Sequence, residues 1–362
     1  MHLSRSALAE LLLIGVAAAA ATISPAPLLV EDWFATGVYP GIQRALTPLS
    51  NALPFAVLDL LLASALAATG VALAVAIRTA RRTRTGWPIL RLAGHVAGGA
   101  AAAYLVFLLL WGFNYRRVPL QDRLVLEPGG PSSGAVVRLG LEAASELNSL
   151  HAEAHRIGWP DGPWEETDLR RAFVEVQTAL SDGVPARPGR LKKTVLGPYF
   201  RWTSVDGMLN PFGLEVLVNP DLLPFERPFV AAHEWAHLAG YADEAEASFV
   251  GWLTCLAAGA PSRYSGWLAL YWQVRAELNE TERLQIGEAL AAGPRADLDA
   301  IEARIRRGEW PWLRDAGWRA YDTYLKANRV EQGVRSYGAV VTLILRARFD
   351  PGWRPVRRTD NR

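Results

Sequence analysis

Three apolar runs stand out early in the chain: Leu11 to Val30, Leu60 to Ile77 and Leu92 to Phe113. None contains Asp, Glu, Lys or Arg. A helix crosses the hydrocarbon core of a bilayer with about 20 residues, so each run predicts a transmembrane helix. With Arg5 ahead of it and small residues behind, the first run could instead be a cleaved signal peptide. We read it as an anchor, because it continues through Pro25 to Val30 and two further spans follow. The loop between the second and third runs carries Arg78, Arg81, Arg82, Arg84 and Arg91, whereas the first loop has only Arg44 beside Glu31 and Asp32. Positive loops stay in the cytoplasm. That places the amino terminus inside and everything after Phe113 outside, with Arg116, Arg117 and Arg123 running against the rule.

Beyond the third run the pattern changes. Pro128 to Gly134 reads as a loop, and Leu139 to Arg156 has the spacing of an amphipathic helix. After a second break at Ser181 to Gly189, Leu214 to Val218 reads as a short strand bracketed by Asn210, Pro211, Asn219 and Pro220. Helical spacing then covers Ala247 to Ala257, Trp267 to Leu278, Thr281 to Ala291 and Trp312 to Ala327, while Ala339 to Leu345 is too short to span a bilayer. The expected fold is a mainly α membrane protein. Residues 1–113 form a region of three transmembrane helices, and 114–362 a mainly helical extracytoplasmic domain with a small β element.

Composition narrows the function. Hydrophobic residues make up 51% of the 362 and charged residues 20%, and the net charge is +2 from 38 basic and 36 acidic residues. No field favours nucleic acid. The single cysteine, Cys255, excludes an internal disulfide and a multi-cysteine metal cage and reads as core. The 14 tryptophans read as interface anchors and core.

The chemistry concentrates between Pro228, suited to a first helical turn, and Gly240, suited to a helix end. His233-Glu-Trp-Ala-His237 places two imidazoles one turn apart on one face, where both can hold one metal ion, while Glu234 can reach a water at that ion. A zinc ion would lower the pKa of the water and polarise a carbonyl, with Glu234 as general base and then acid. The plain alternative is two histidines on a helix surface. A catalytic zinc site needs a third protein ligand, and Asp243, Glu244 and Glu246 follow closely. If a second helix begins near Asp243, Glu244 and Ser248 share a face and Glu246 points elsewhere. The remaining acids read as a cluster favoured by the helix dipole. His151 and His155 repeat the four-residue spacing and read as a solvated face. His95, within the third run, reads as a neutral histidine packed between helices. Glu215 reads equally as a group that orients the site or substrate and as a plain strand residue.

Asn114-Tyr-Arg-Arg117, Asn210-Pro-Phe212 with Glu215 and Asn219, His233-Glu-Trp-Ala-His237 with Gly240-Tyr241, Glu244-Ala-Glu-Ala247 and Tyr264-Ser-Gly266 resemble the bacterial membrane-protein family catalogued as domain of unknown function 3810, in order and spacing over most of the chain. The resemblance implies a zincin-like, HExxH-plus-glutamate zinc metallopeptidase with Glu244 as third ligand to Zn2+. Its Glu-x-x-Ala-Asn step is here Glu244 to Ser248, with Ser in place of Asn. Asn210, Glu215, Tyr241 and Glu246 are the remaining candidates for substrate contact or support of the ligands, and no organic cofactor is expected.

The resulting expectation is an enzyme of the plasma membrane that hydrolyses a peptide or protein substrate at the outer face of the lipid bilayer. Its strand Leu214 to Val218 would pair with an extended peptide. The competing expectation is a non-catalytic scaffold or sensor stabilised by zinc, and an intact Glu234 favours catalysis, since a structural site has no use for it.

Overall fold

A computed structural model of the chain describes residues 5–160, 167–181, 183–328 and 339–358. The chain begins with α1 (Arg5–Thr22), α2 (Pro27–Val30), a π-helical turn at Glu31–Val38, α3 (Tyr39–Ala52), α4 (Val57–Thr83) and α5 (Trp87–Leu110). Helices α4 and α5 are long and apolar enough to cross a membrane, and only 6% and 17% of their most apolar windows are buried inside the protein. So much uncovered apolar surface fits contact with lipid. Arg84 closes α4 in a left-handed conformation with φ 55°, and Pro88 opens α5, which makes the arginine-rich connection a tight hairpin.

The first apolar run does not form the continuous span expected from Leu11 to Val30. Its helix stops at Thr22, and the arm from Pro27 to Ala52 leaves at 117°. Pro25 and Pro27 are the cause, since each lacks an N–H and disfavours helix in the residue before it. Within the α1–α5 pair, His95 Nδ1 lies 2.5 Å from Glu10 Oε1, so this histidine faces a carboxylate just outside the run as counted.

The arm is amphipathic in an unusual sense. Tyr39, Gln43, Thr47 and Ser50 of α3 are buried, while Leu28, Leu29, Trp33, Val38 and Leu49 are exposed. Its polar stripe bonds to the second half of the chain. Tyr39 donates to Leu238 O at 2.7 Å, Thr47 to Leu214 O at 2.8 Å, and Gln43 exchanges bonds of 2.8 and 2.9 Å with the Arg187 backbone. The arginines that run against the positive-inside pattern also have partners here. Arg116 donates to the α1 carbonyls of Ala20 and, just beyond, Ile23. Arg117 makes a two-pronged pair with Glu31 at 2.6 and 2.9 Å, and Arg123 joins it at 3.5 Å.

The rest comprises α6 (Leu120–Arg123), α7 (Ser133–Ile157), α8 (Thr167–Leu180), β1 (Leu191–Lys192), α9 (Gly197–Thr203), β2 (Gly207–Asn210), β3 (Glu215–Val218), α10 (Arg227–Leu238), α11 (Glu244–Leu256), α12 (Ala260–Glu277), α13 (Glu280–Glu288), α14 (Ala292–Gly308), α15 (Pro311–Ala327), α16 (Ala339–Arg346) and a hairpin of β4 (Phe349–Asp350) with β5 (Arg354–Pro355). One continuous core joins Phe34 and Tyr39 of the arm, Trp111 after α5, Trp235 of α10, Phe249 and Trp252 of α11 and Trp267 of α12. Cys255 lies inside it, as its composition-based reading expects.

The small sheet has the order β1-β3-β2, with β1 parallel and β2 antiparallel to β3. Both edges of β3 are therefore occupied. The expectation that Leu214 to Val218 pairs with a peptide fails for that reason, and β1 and β2 are the edge strands of this sheet among the described residues. Behind β3, Lys192 Nζ meets Glu215 Oε2 at 2.8 Å with side chains 4% and 0% exposed. Glu215 also accepts the N–H groups of Val57 and Leu58 at 3.0 and 2.9 Å, and Lys192 donates to Ser50 and Phe55 carbonyls. Burial pushes the Glu215 carboxyl up, but Lys192 and these N–H donors outweigh it and hold the group below its ordinary value. The pair thus anchors the amino-terminal end of α4 to the sheet. Glu215→Gln leaves the ammonium buried without a counter-charge and is expected to cost about 3–5 kcal/mol. Adding Lys192→Met should recover part of that loss, as read by denaturation of the detergent-solubilised protein. Equal stability of Glu215→Gln and the parent would contradict the anchor.

Candidate metal centre

Pro228 sits in the first turn of α10, and Gly240 follows its end with φ +85°, a conformation that a β-carbon disfavours. The chain reverses there, and Asp243 caps α11 by accepting the N–H groups of Ala245 and Glu246 at 2.9 and 3.2 Å. The two helices then pack face to face. At Gly251 a β-carbon would stand 3.0 Å from the His233 backbone nitrogen, so the close approach needs the missing side chain.

This hairpin brings three ligand atoms together. His233 Nε2 and His237 Nε2 are 3.2 Å apart, and Glu244 Oε2 lies 3.2 Å from the first and 3.6 Å from the second. Around a tetrahedral ion with bonds of about 2.0–2.1 Å, neighbouring ligand atoms are about 3.3–3.4 Å apart, so this donor set fits zinc. The other ring nitrogens are held in place. His237 Nδ1 lies 2.7 Å from Tyr241 O, and His233 Nδ1 lies 3.3 Å from the Ser248 hydroxyl. The bond of Nδ1 to Tyr241 O turns His237 Nε2 toward Glu244. Glu244 Oε2 is buried and accepts no hydrogen bond from the described residues, although its other oxygen accepts the Tyr321 hydroxyl. A buried carboxylate oxygen facing two imidazoles without a hydrogen bond is the arrangement a cation would complete.

The electrostatics agree. Burial would push the Glu244 carboxyl up, yet His237 and His233 hold it well below its ordinary value. Burial opposes the charged form of His237, but Glu244 and Glu234 override it and push the group up to about 9. Glu234 is shifted the other way. Burial raises it against the pull of both histidines, and its Oε2 has no hydrogen-bond partner among the described residues.

His233, Glu234, His237 and Glu244 all line a cavity of about 780 Å³. Its wall includes Gly207 to Leu209 of β2, Phe229 and Val230 of α10, Leu268 and Trp272 of α12, and Trp318 and Tyr321 of α15. Trp111 and Tyr115, directly after α5, complete one side, and the Trp111 indole N–H donates to His237 O at 2.9 Å.

The other sequence candidates lie outside this lining. Asn210 donates to Glu215 at 2.9 Å, and both belong to the anchor behind the sheet. Tyr241 supplies its carbonyl to His237 while its ring lies under the guanidinium groups of Arg117 and Arg123. Glu246 points away from the histidines and accepts the Leu120 N–H at 2.5 Å. The sequence gives no signal for Tyr321, which reaches Glu244 from 77 positions away.

Compared with known protein families, residues 34–345 match the family described as Protein of unknown function (DUF3810). Neither the curated proteins nor the solved structures give a match. A match over most of the chain makes this protein a member of the DUF3810 family.

Proposed function

We propose that the protein is a membrane-anchored zinc-dependent metallopeptidase, with His233, His237 and Glu244 as ligands to Zn2+ and Glu234 as general base and then acid. The observation that carries this reading is the convergence of three ligand atoms beside a second carboxylate, Glu234, whose Oε2 has no hydrogen-bond partner among the described residues, in the lining of one cavity. Three protein ligands, the number that converge there among the described residues, suit a catalytic site, since a structural one is normally closed by a fourth. That favours catalysis over a zinc-stabilised scaffold or sensor.

When bound, zinc supplies an electrophile that acidifies the attacking water and polarises the scissile carbonyl. Glu234 takes the proton of that water and delivers it to the leaving amine, a role that suits a carboxyl whose hold on a proton is strengthened by burial. Tyr321 fixes the rotamer of Glu244 by donating to its outer oxygen. The free edge of β2 offers backbone groups to an extended peptide along the cavity wall. Phe229, Val230, Leu268 and Trp272 offer apolar surface to its side chains.

The substrate is then a peptide or protein chain at the outer side of the plasma membrane. With the arginine-rich hairpin in the cytoplasm, the ends of α4 and α5 near Val57 and Trp111 lie at the outer surface, and the cavity sits beside them. The exposed apolar side of the arm, Leu28, Leu29, Trp33 and Leu49, would rest in lipid.

Glu234→Gln should retain zinc and fold while slowing hydrolysis by at least about 10²-fold, the ordinary loss for a general base. Metal analysis of the purified protein, with comparison of exported peptides between cells carrying parent and variant, reads both quantities. Parental activity in the variant would remove Glu234 from the chemistry. For topology, cysteines placed at Ser133 and Thr83 in a Cys255→Ala background should react with an impermeant reagent at position 133 only. Labelling at 83 alone would reverse the orientation.

A further inference from the structure

His151 and His155 lie on α7 and repeat the four-residue spacing of the HEWAH helix. They are more than a solvated face. Helix α14 carries Asp297 against them, with Oδ2 2.8 Å from His155 Nε2 and 3.6 Å from His151 Nε2. The Asp297 side chain is 11% exposed, and the same oxygen accepts the Tyr264 hydroxyl of α12 at 2.5 Å. The two imidazole rings are 4.2 Å apart and tilted by 33°.

A hydrogen-bonded cluster accounts for His155 and Tyr264 but not for His151, because 3.6 Å is too long for a hydrogen bond. His151 Nε2 nevertheless lies within 3.6 Å of the carboxylate oxygen. The two separations bracket the spacing of about 3.3–3.4 Å between ligands of a tetrahedral ion. All three groups offer ligand atoms within 4.8 Å of one another. Two imidazoles with one carboxylate form a donor set suited to zinc and its transition-metal neighbours rather than to magnesium or calcium. Tyr264, bonded to the carboxylate, would hold the third ligand in orientation, as outer partners of metal sites do.

We propose that His151, His155 and Asp297 form a second zinc site, distinct from the HEWAH centre, that clamps α7 to α14. The placement gives it a structural consequence. Phe225 packs on His155 and lines the large cavity, and α14 contributes Ile301 and Arg304 to the same wall. An ion joining α7 to α14 would brace that wall from behind without facing the cavity.

The test uses untagged, metal-stripped full-length protein titrated with Zn2+, with bound metal counted by elemental analysis. Parent protein should take up two equivalents. His233→Ala with His237→Ala should retain one, and that variant should melt at a higher temperature with Zn2+ than without. His151→Ala with His155→Ala should also retain one. Within the His233→Ala/His237→Ala background, Asp297→Asn should weaken the remaining site by at least about tenfold, since it removes an anionic ligand while preserving shape. A bare pair of surface histidines chelating metal would be indifferent to Asp297→Asn, and that result overturns the proposal. So does a folded His233→Ala/His237→Ala variant that binds no zinc. One equivalent in the parent that follows His151 and His155 alone would uphold this site and refute the HEWAH reading.

Discussion

Everything at the centre of this protein answers to one buried charge. Glu244 is 3% exposed, and one of its oxygens faces two imidazole nitrogens without accepting a hydrogen bond from any described group. An isolated carboxylate at such a depth would cost several kcal/mol after relaxation of its surroundings. In the protein alone, the compensation comes from His233 and His237, with His237 driven toward its charged form. A divalent cation would meet the same demand more fully, because it faces all three groups at once. Glu234 stands beside them as a second carboxylate, held toward its neutral form by burial.

That local arrangement depends on parts of the chain far from it. The Trp111 indole and the Tyr39 hydroxyl bond to the last carbonyls of α10, at His237 and Leu238. Arg117 links Glu31 of the bent arm to the Gly240 carbonyl in the turn before Glu244. The hairpin of α10 and α11 is therefore fastened to the apolar helices and to the arm at the residues that set its geometry. The anchor of Lys192 and Glu215 does the same for the sheet. A mutation that loosens any of these fastenings would reach the ligand atoms through a few bonds, and an arm resting in lipid would make the cavity sensitive to the bilayer.

How much of this is legible in the sequence follows the range of the interactions. Spacing of four residues, a proline at one end and a glycine at the other define α10, because helix geometry is local. Asp243 as the start of a second helix is legible for the same reason, and so are α4 and α5 from their apolar runs. Apolar counting cannot tell a straight span from one bent at Pro25 and Pro27. The buried polar stripe of α3 is hidden because its partners, Arg187, Leu214 and Leu238, are more than 140 residues away. Tyr321 and Asp297 are invisible on the same grounds. The stripe Leu169, Phe173, Val176 and Leu180 of α8 has plain helical spacing and goes unassigned in the sequence reading. Nothing in the pattern near Leu214 reveals that β3 is flanked on both sides, since pairing partners lie outside any local window.

Anomalous X-ray diffraction at the zinc edge reads directly which atoms hold a metal. A peak is expected within about 2.0–2.2 Å of His233 Nε2, His237 Nε2 and a Glu244 carboxylate oxygen, with Glu246 still bonded to the Leu120 N–H. No peak between the two histidines in protein supplied with zinc, or a peak there ligated by Glu246 instead of Glu244, would contradict it.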